Sequence, residues 1–208
     1  MRWLCAVGLL CSLGSPVALG ASRGLPPAKG VFLVAKPTID RGPFRHSVVL
    51  ILSHNPIGTL GVIVNRVTEI PVSEVLPELP GDAQGHDLYF GGPVALEGLL
   101  FLYRSENPPE GADGVMGNVY YGGDREVLET LLENETGPDA LHLFLGHSGW
   151  SPGQLDKELL RGDWDVVKAD AFTVFMKDPN TMWEELSKDQ RVIAFKQKKG
   201  TGTFSADR

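Results

Sequence analysis

Short apolar runs separated by clusters of Gly, Pro, Asn and Asp dominate the chain, and they predict strands joined by tight turns. Val31 to Ala35 and Val48 to Leu52 are continuous apolar runs of strand length, the pattern of a strand buried on both faces. Asn55-Pro56-Ile57-Gly58 is turn chemistry and Leu60 to Val64 is a return strand, so the segment reads as a hairpin. Ser73 to Leu79 predicts a short helix interrupted by Pro77. Asp87 to Phe90 and Leu99 to Tyr103 predict strands around a break at Gly91-Gly92-Pro93. A loop follows over Arg104 to Gly117, then a short strand at Val119 to Tyr121.

Asp124 is placed to cap a helix over Arg125 to Glu133, with Val127, Leu128, Leu131 and Leu132 on its apolar face. Leu141 to Leu145 is a further buried strand. Ser151-Pro152-Gly153-Gln154 has the form of a capping box with proline at the first helical position, opening a helix to Leu160. Trp150 then stands where an apolar side chain staples against the first turn. Trp164 to Val167 and Phe172 to Met176 predict strands, and Asp178-Pro179 starts a last helix through Met182, Trp183 and Leu186. This order predicts an α/β (α+β) fold: a single compact domain over 30–195, with a mixed, largely antiparallel β-sheet flanked by helices. Residues 22–29 are a Pro-rich linker, and 196–208 a flexible polar tail.

The first residues change the picture. One arginine, an apolar stretch from Trp3 to Leu13, Gly14-Ser15-Pro16 and a small-residue exit at Ala18 to Ala21 have the layout of a secretory signal peptide over 1–21. The expectation is cleavage near Ala21 and export to the periplasm or medium. No other run approaches the length of a membrane span, so no integral membrane segment is expected after cleavage. Cys5 and Cys11, the two cysteines of the chain, both lie in the leader; its removal leaves no thiol for disulfides, nucleophilic catalysis or zinc. The formal charge of −7 becomes −8 with the loss of Arg2, which argues against a nucleic-acid partner.

Few motifs carry chemistry. Gly146-His147-Ser148-Gly149-Trp150 stands between a strand and a helix, as a nucleophile elbow does. It carries Trp where that elbow needs a small residue, and no histidine follows His147 to act as base. His46, His54, His86, His142 and His147 show no metal-ligand spacing, so neither a metal nor another cofactor is expected. The hairpin brings Arg45, His46, Asn65 and Arg66 to one rim of the sheet, a locally positive cluster suited to a small anion such as a carboxylate or phosphate. The bland alternative is that the arginines pair with acids and Asn65 caps a turn.

Six segments together resemble one family: FRHSVVLILSHN (44–55), GTLGVIVNR (58–66), YFGGPV (89–94), LGHSGWSPGQL (145–155), WDVVKAD (164–170) and a late segment with Asp178-Pro179 and Trp183-Glu184. The chain is similar to the YqgE/AlgH family of uncharacterised proteins (UPF0301/DUF179-like) over Gly30 to Leu186. The resemblance implies a compact α/β fold and a structural role for His54, Asn55, Gly91, Gly92, Pro93, Gly146, Gly149, Trp150, Gly153 and Gln154. It implies no reaction, since the family has no agreed activity; one branch is labelled a transcriptional regulator. His147-Ser148 stand where members commonly carry Tyr-Ala, and typical members are cytoplasmic, which leaves a cytoplasmic location as the alternative to export. Three readings follow: a non-catalytic binding or regulatory module taking a small anion or a protein partner, an enzyme of unknown type acting on a small anionic ligand, and a regulator-like role.

Overall fold

A computed structural model describes residues 25–79, 83 and 85–200, with 190–200 described by their backbone. The leader expected over 1–21 lies outside the described residues, as do 201–208. Nine strands form one open sheet in the order β6-β7-β5-β8-β3-β2-β1-β9, with β4 paired to β8 off this path. The elements are β1 (Val31–Ala35), β2 (Val48–Asn55), β3 (Gly58–Ile63), α1 (Val72–Val75), β4 (Leu88–Phe90), β5 (Val94–Arg104), β6 (Asp113–Met116), β7 (Val119–Gly122), α2 (Arg125–Glu133), β8 (Leu141–Trp150), α3 (Gln154–Arg161), β9 (Trp164–Lys168), α4 (Ala171–Met176) and α5 (Pro179–Gly200). Every pairing between strands is antiparallel except β4 with β8. The expected mixed, largely antiparallel α+β domain is the fold.

The continuous apolar runs of β1 and β2 are explained by cover on both faces of the sheet. Phe32, Val34, Leu50 and Leu52 pack on one face with Phe144, Val174, Phe175 and Met182, so α4 and α5 lie there. Leu33, Val49, Ile51 and Ile63 pack on the other with Trp150, Trp164 and Leu155 of α3. A third cluster joins Phe101, Tyr103, Leu141 and Leu143 to Leu128 and Leu132 of α2, whose N-cap Asp124 accepts from the amides of Glu126 and Val127.

Several elements differ from the sequence expectation. Phe172 to Met176 lies in helix α4, not a strand. Asp170 caps that helix, accepting from the amide of Thr173 at 2.8 Å and from its hydroxyl at 2.8 Å, and this cap overrides the β propensity of a Phe-Thr-Val-Phe run. Within the expected loop 104–117, Asp113–Met116 forms strand β6 against β7. Gly146-His147-Ser148-Gly149, expected to stand between a strand and a helix, is itself strand: β8 continues through it to Trp150, with Gly146 at φ 63°. Helix α3 starts at Gln154 with Gly153 as its N-cap in the left-handed region (φ 70°), so Ser151 is not the cap and Pro152 is not its first residue. Helix α5 runs through Gly200, past the start of the expected tail.

Glycines let β8 continue. The backbone at Gly91 and Gly92 crosses β8 so closely that a Cβ on Gly91 would lie 2.3 Å from the carbonyl oxygen of Gly146, and one on Gly92 2.4 Å from that of His147. Gly146, at φ +63°, would meet the Gly92 carbonyl at 2.6 Å. The carbonyl of Gly91 accepts from the Ile63 amide at 2.9 Å and from the Ser148 hydroxyl at 3.0 Å, which ties β3, the crossing and β8 together.

Candidate functional site

The hairpin β2–β3 places the expected rim cluster where the sequence expects it. Asn65, just past β3, accepts from the amide of Val48 at 2.8 Å and donates its Nδ2 to the carbonyl of His46 at 3.0 Å. Arg66 donates Nη2 to the carbonyl of Arg45 at 2.8 Å and Nη1 to that of Pro43, and its guanidinium stands 5.7 Å from the Phe90 ring centroid. Both side chains are therefore latches that pin residues 43–46 to the sheet. Partial burial pulls the Arg66 guanidinium below the usual arginine range.

The pinned loop presents two groups outward. His46 sits in the left-handed region (φ 54°) and stacks on Trp183 of α5 at 4.0 Å between ring centroids. Trp183 is fixed in turn by its indole N–H, which donates to the Ala35 carbonyl at 2.7 Å. Arg45 is exposed, and its guanidinium has no side-chain partner among the described residues. Arg45, His46, Asn65, Arg66, Asn180 and Trp183 line a groove of about 550 Å³. Glu184 also reaches it, paired with Lys188 at 2.7 Å. The two arginines thus differ: Arg66 is committed to backbone carbonyls rather than acids, and the Arg45 guanidinium is exposed with no side-chain partner among the described residues.

Sequence reasoning misses Trp183 as a site residue. It reads as one apolar position of the last helix, and only the tertiary fold lays it under His46.

Of the residues expected to be structural, Gly91, Gly92 and Gly146 lie at the β8 crossing, and His54 and Asn55 lie at the turn end of the hairpin. His54 Nδ1 and Thr59 Oγ1 are 2.7 Å apart, and Asn55 accepts from the Ile57 amide at 2.9 Å to shape the turn. Trp150 is buried. Its indole donates to Glu158 Oε2 at 2.8 Å, and the Trp164 indole donates to the same oxygen at 2.9 Å. Gln154 accepts from the Ser151 amide at 3.2 Å, the reach-back expected of it, and donates to Glu158 Oε1 at 3.0 Å. Glu158 is thus the acceptor at the centre of this corner, and no motif signals it.

Ser148 is fully buried beside Gly91, where a substrate does not reach it. His142 is buried between Tyr89 (4.7 Å) and Phe175 (4.9 Å), and its Nδ1 has no hydrogen-bond partner among the described residues. Burial pushes this imidazole down to about 4. Among the described residues no group of three or more His, Cys, Asp or Glu could hold a metal ion. Among them, too, no helix is long and apolar enough to cross a membrane.

Residues 32–193 match the family model described as DUF179: AlgH-like. The chain belongs to the AlgH-like family. Among relatives, UPF0301 proteins of Methylococcus capsulatus and Chlamydia pneumoniae are 36% and 33% identical over 163 residues, covering 76% and 77% of this chain and 89% and 86% of theirs. The solution structure of AlgH from Pseudomonas aeruginosa shares 27% identity with a TM-score of 0.65, covering 95% of this chain and all of that one. A crystal structure from Corynebacterium diphtheriae gives the same identity and TM-score over 81% of this chain and 90% of its own. AlgH-like membership brings the fold with it and no biochemical activity.

Proposed function

We propose that this AlgH-like protein is a non-catalytic binding module that takes a small anion, a carboxylate or phosphate, in the groove beside Arg45, and that it acts after export. One observation carries the reading: Asn65 and Arg66 spend their donors pinning the backbone of residues 43–46, and the Arg45 side chain on that pinned loop is displayed beside the His46–Trp183 stack with no side-chain partner among the described residues. A planar guanidinium held this way offers two parallel N–H groups to a carboxylate or phosphate. Its ordering cost is reduced because the loop beneath it is already fixed. The reactive-looking groups elsewhere have structural occupations: Ser148 serves Gly91, and His142 lies in the core.

The test is a thermal-shift series with phosphate, citrate, succinate and a phosphomonoester. A ligand at a hundred times its Kd stabilises by about 2.7 kcal/mol, and each kcal/mol moves Tm by about 2–4 °C in a domain of this size. The expected result is a rise of several degrees with at least one anion, lost in Arg45→Ala with the ligand-free Tm unchanged. A panel without effect, or a shift that survives Arg45→Ala, overturns the reading. Export is checked separately by the intact mass of protein from its native host, expected to begin near Ser22; a mass retaining residues 1–21 refutes it.

A further inference from the structure

At the far end of the β2–β3 hairpin from Arg45 lies a second cleft, of about 510 Å³. Ile57 and Val94 stand on its walls, exposed at 85% and 41%, and Gly149, Trp150, Ser151 and Asn55 also line it. Among the described residues no acid, lysine or arginine lines it, although the chain carries 26 acidic residues, and His147 is the titratable side chain on its wall.

Two features of β8 point to an occupant. The first is its pairing. Ser148, Gly149 and Trp150 pair with Gly61, Leu60 and Thr59 of β3 on one flank. On the other flank β5 begins at Val94, opposite His147, so no described strand lies beside Gly149 and Trp150 there. β8 therefore ends in a short open edge facing the cleft. The second feature is Gly149 itself. Glycine inside a strand weakens it, and it commonly marks a place where another backbone or a ligand comes close. Gly146, Gly91 and Gly92 meet that condition within the chain, each against backbone under 3 Å from its missing Cβ. Gly149 does not: a Cβ there would meet only the Val94 side chain at 3.7 Å and the His147 ring at 3.9 Å, ordinary contacts, and its φ needs no glycine. Nothing inside the molecule requires the missing side chain, which leaves a bare main chain at the floor of the cleft.

We propose that this cleft is a docking site for an extended, uncharged peptide segment of a partner protein. The segment lies as a short added strand along the β8 edge over Gly149, with an apolar side chain between Ile57 and Val94. Main-chain hydrogen bonds to an open edge supply affinity, and the pocket for alternate side chains supplies selectivity. With no acid, lysine or arginine among the described lining residues, and His147 alone able to meet a charge, the lining favours a neutral segment.

The experiment is an amide NMR titration of the whole protein with capped pentapeptides in which Thr alternates with Ala, Val, Leu or Phe, and with a Glu-for-Thr series as control. The expected result is saturable shifts confined to residues around Ile57, Val94, Gly149 and Ser151, with a preference among the neutral peptides. Gly149→Ala is expected to weaken binding at least tenfold with its urea midpoint unchanged, and Arg45→Ala to leave binding as it is. The docking site is overturned if no neutral peptide perturbs the cleft, if the Glu series binds equally well, or if Gly149→Ala binds as the parent does. Shifts that instead grow with protein concentration alone would assign the edge to a second copy of this chain and overturn it too. Should Gly149→Ala lose stability, Ile57→Ser, on a side chain exposed to solvent, serves as the second variant, with the same tenfold loss expected.

Discussion

Replacing Arg66 by alanine separates the latch from the displayed, unlatched Arg45. The change removes two charged N–H donors from the carbonyls of Pro43 and Arg45 and the contact over Phe90. Hydrogen bonds from charged groups contribute about 1.5–3 kcal/mol each when shielded. Here the groove is open to water, so the freed carbonyls rehydrate and the lower figure applies to the first bond and less to the second. The ring contact adds about 0.5 kcal/mol at a half-exposed site. The expected loss for Arg66→Ala is thus about 2–3 kcal/mol. Arg45→Ala, whose side chain has no partner among the described residues, should stay within about 0.5 kcal/mol of the parent. Arg66→Lys should recover less than half of the loss, because a single ammonium cannot bridge two carbonyls as a planar fork does. Urea unfolding at fixed protein concentration measures all three, with a common slope showing that only stability changed. If Arg66→Ala is as stable as the parent, or Arg45→Ala falls equally far, the division of labour between the two arginines is wrong.

Three further outcomes follow from the packing. Glu158→Ala leaves the indole N–H groups of Trp150 and Trp164 without their shared acceptor, and it should cost about 2–4 kcal/mol in urea melts, with a shift in tryptophan emission; an unchanged midpoint would remove Glu158 from the corner. His142 has a folded value near 4 against an ordinary 6.5, so the unfolded chain binds its proton first. Its contribution is complete above about 6.5 and lost as pH falls toward 4, up to about 3 kcal/mol. His142→Phe should therefore flatten stability between pH 7 and 4 relative to the parent, and parallel profiles would refute this. A fluorophosphonate probe should leave Ser148 unlabelled, since its hydroxyl is buried against the Gly91 carbonyl; stoichiometric labelling there would overturn the structural assignment.

The hairpin was legible in the sequence because both of its strands are buried on two faces and its turn carries Asn, Pro and Gly at the needed places. It follows that Arg45, His46, Asn65 and Arg66 could be brought to one rim from pattern alone. Which guanidinium is free could not, because the difference lies in carbonyls of residues 43 and 45 that no side-chain pattern encodes. Strand β8 was half legible: Gly146 and Gly149 look like breakers, yet the first exists so that Gly92 can cross and the strand continues. Strand β6 carries Asp113 and Gly114 and becomes a strand through pairing with β7 rather than through its own propensity. Helix α4 hides in Phe172 to Met176, residues that favour strands, and only the Asp170 cap ahead of them signals a helix. Trp183 owes its role to Ala35 and His46, distant in the chain, while Glu158 meets Trp150, Gln154 and Trp164 nearby in sequence through side-chain geometry that no motif marks.

Strand β8 also sets the order in which the chain can assemble. It is held between partners far away in sequence: Gly61 faces Ser148, Leu88 faces Leu143 and Leu99 faces Leu145. Such pairings must close long loops before any contact rewards them, which slows folding to the millisecond-to-second range typical of sheet proteins with distant pairings. Any β1–β2–β3 sheet that forms before residues 141–150 dock would carry a bare β3 edge, a template on which another chain can pair. Refolding yield should therefore fall as protein concentration rises, and the vulnerable interval ends when β8 docks between β3 and β5.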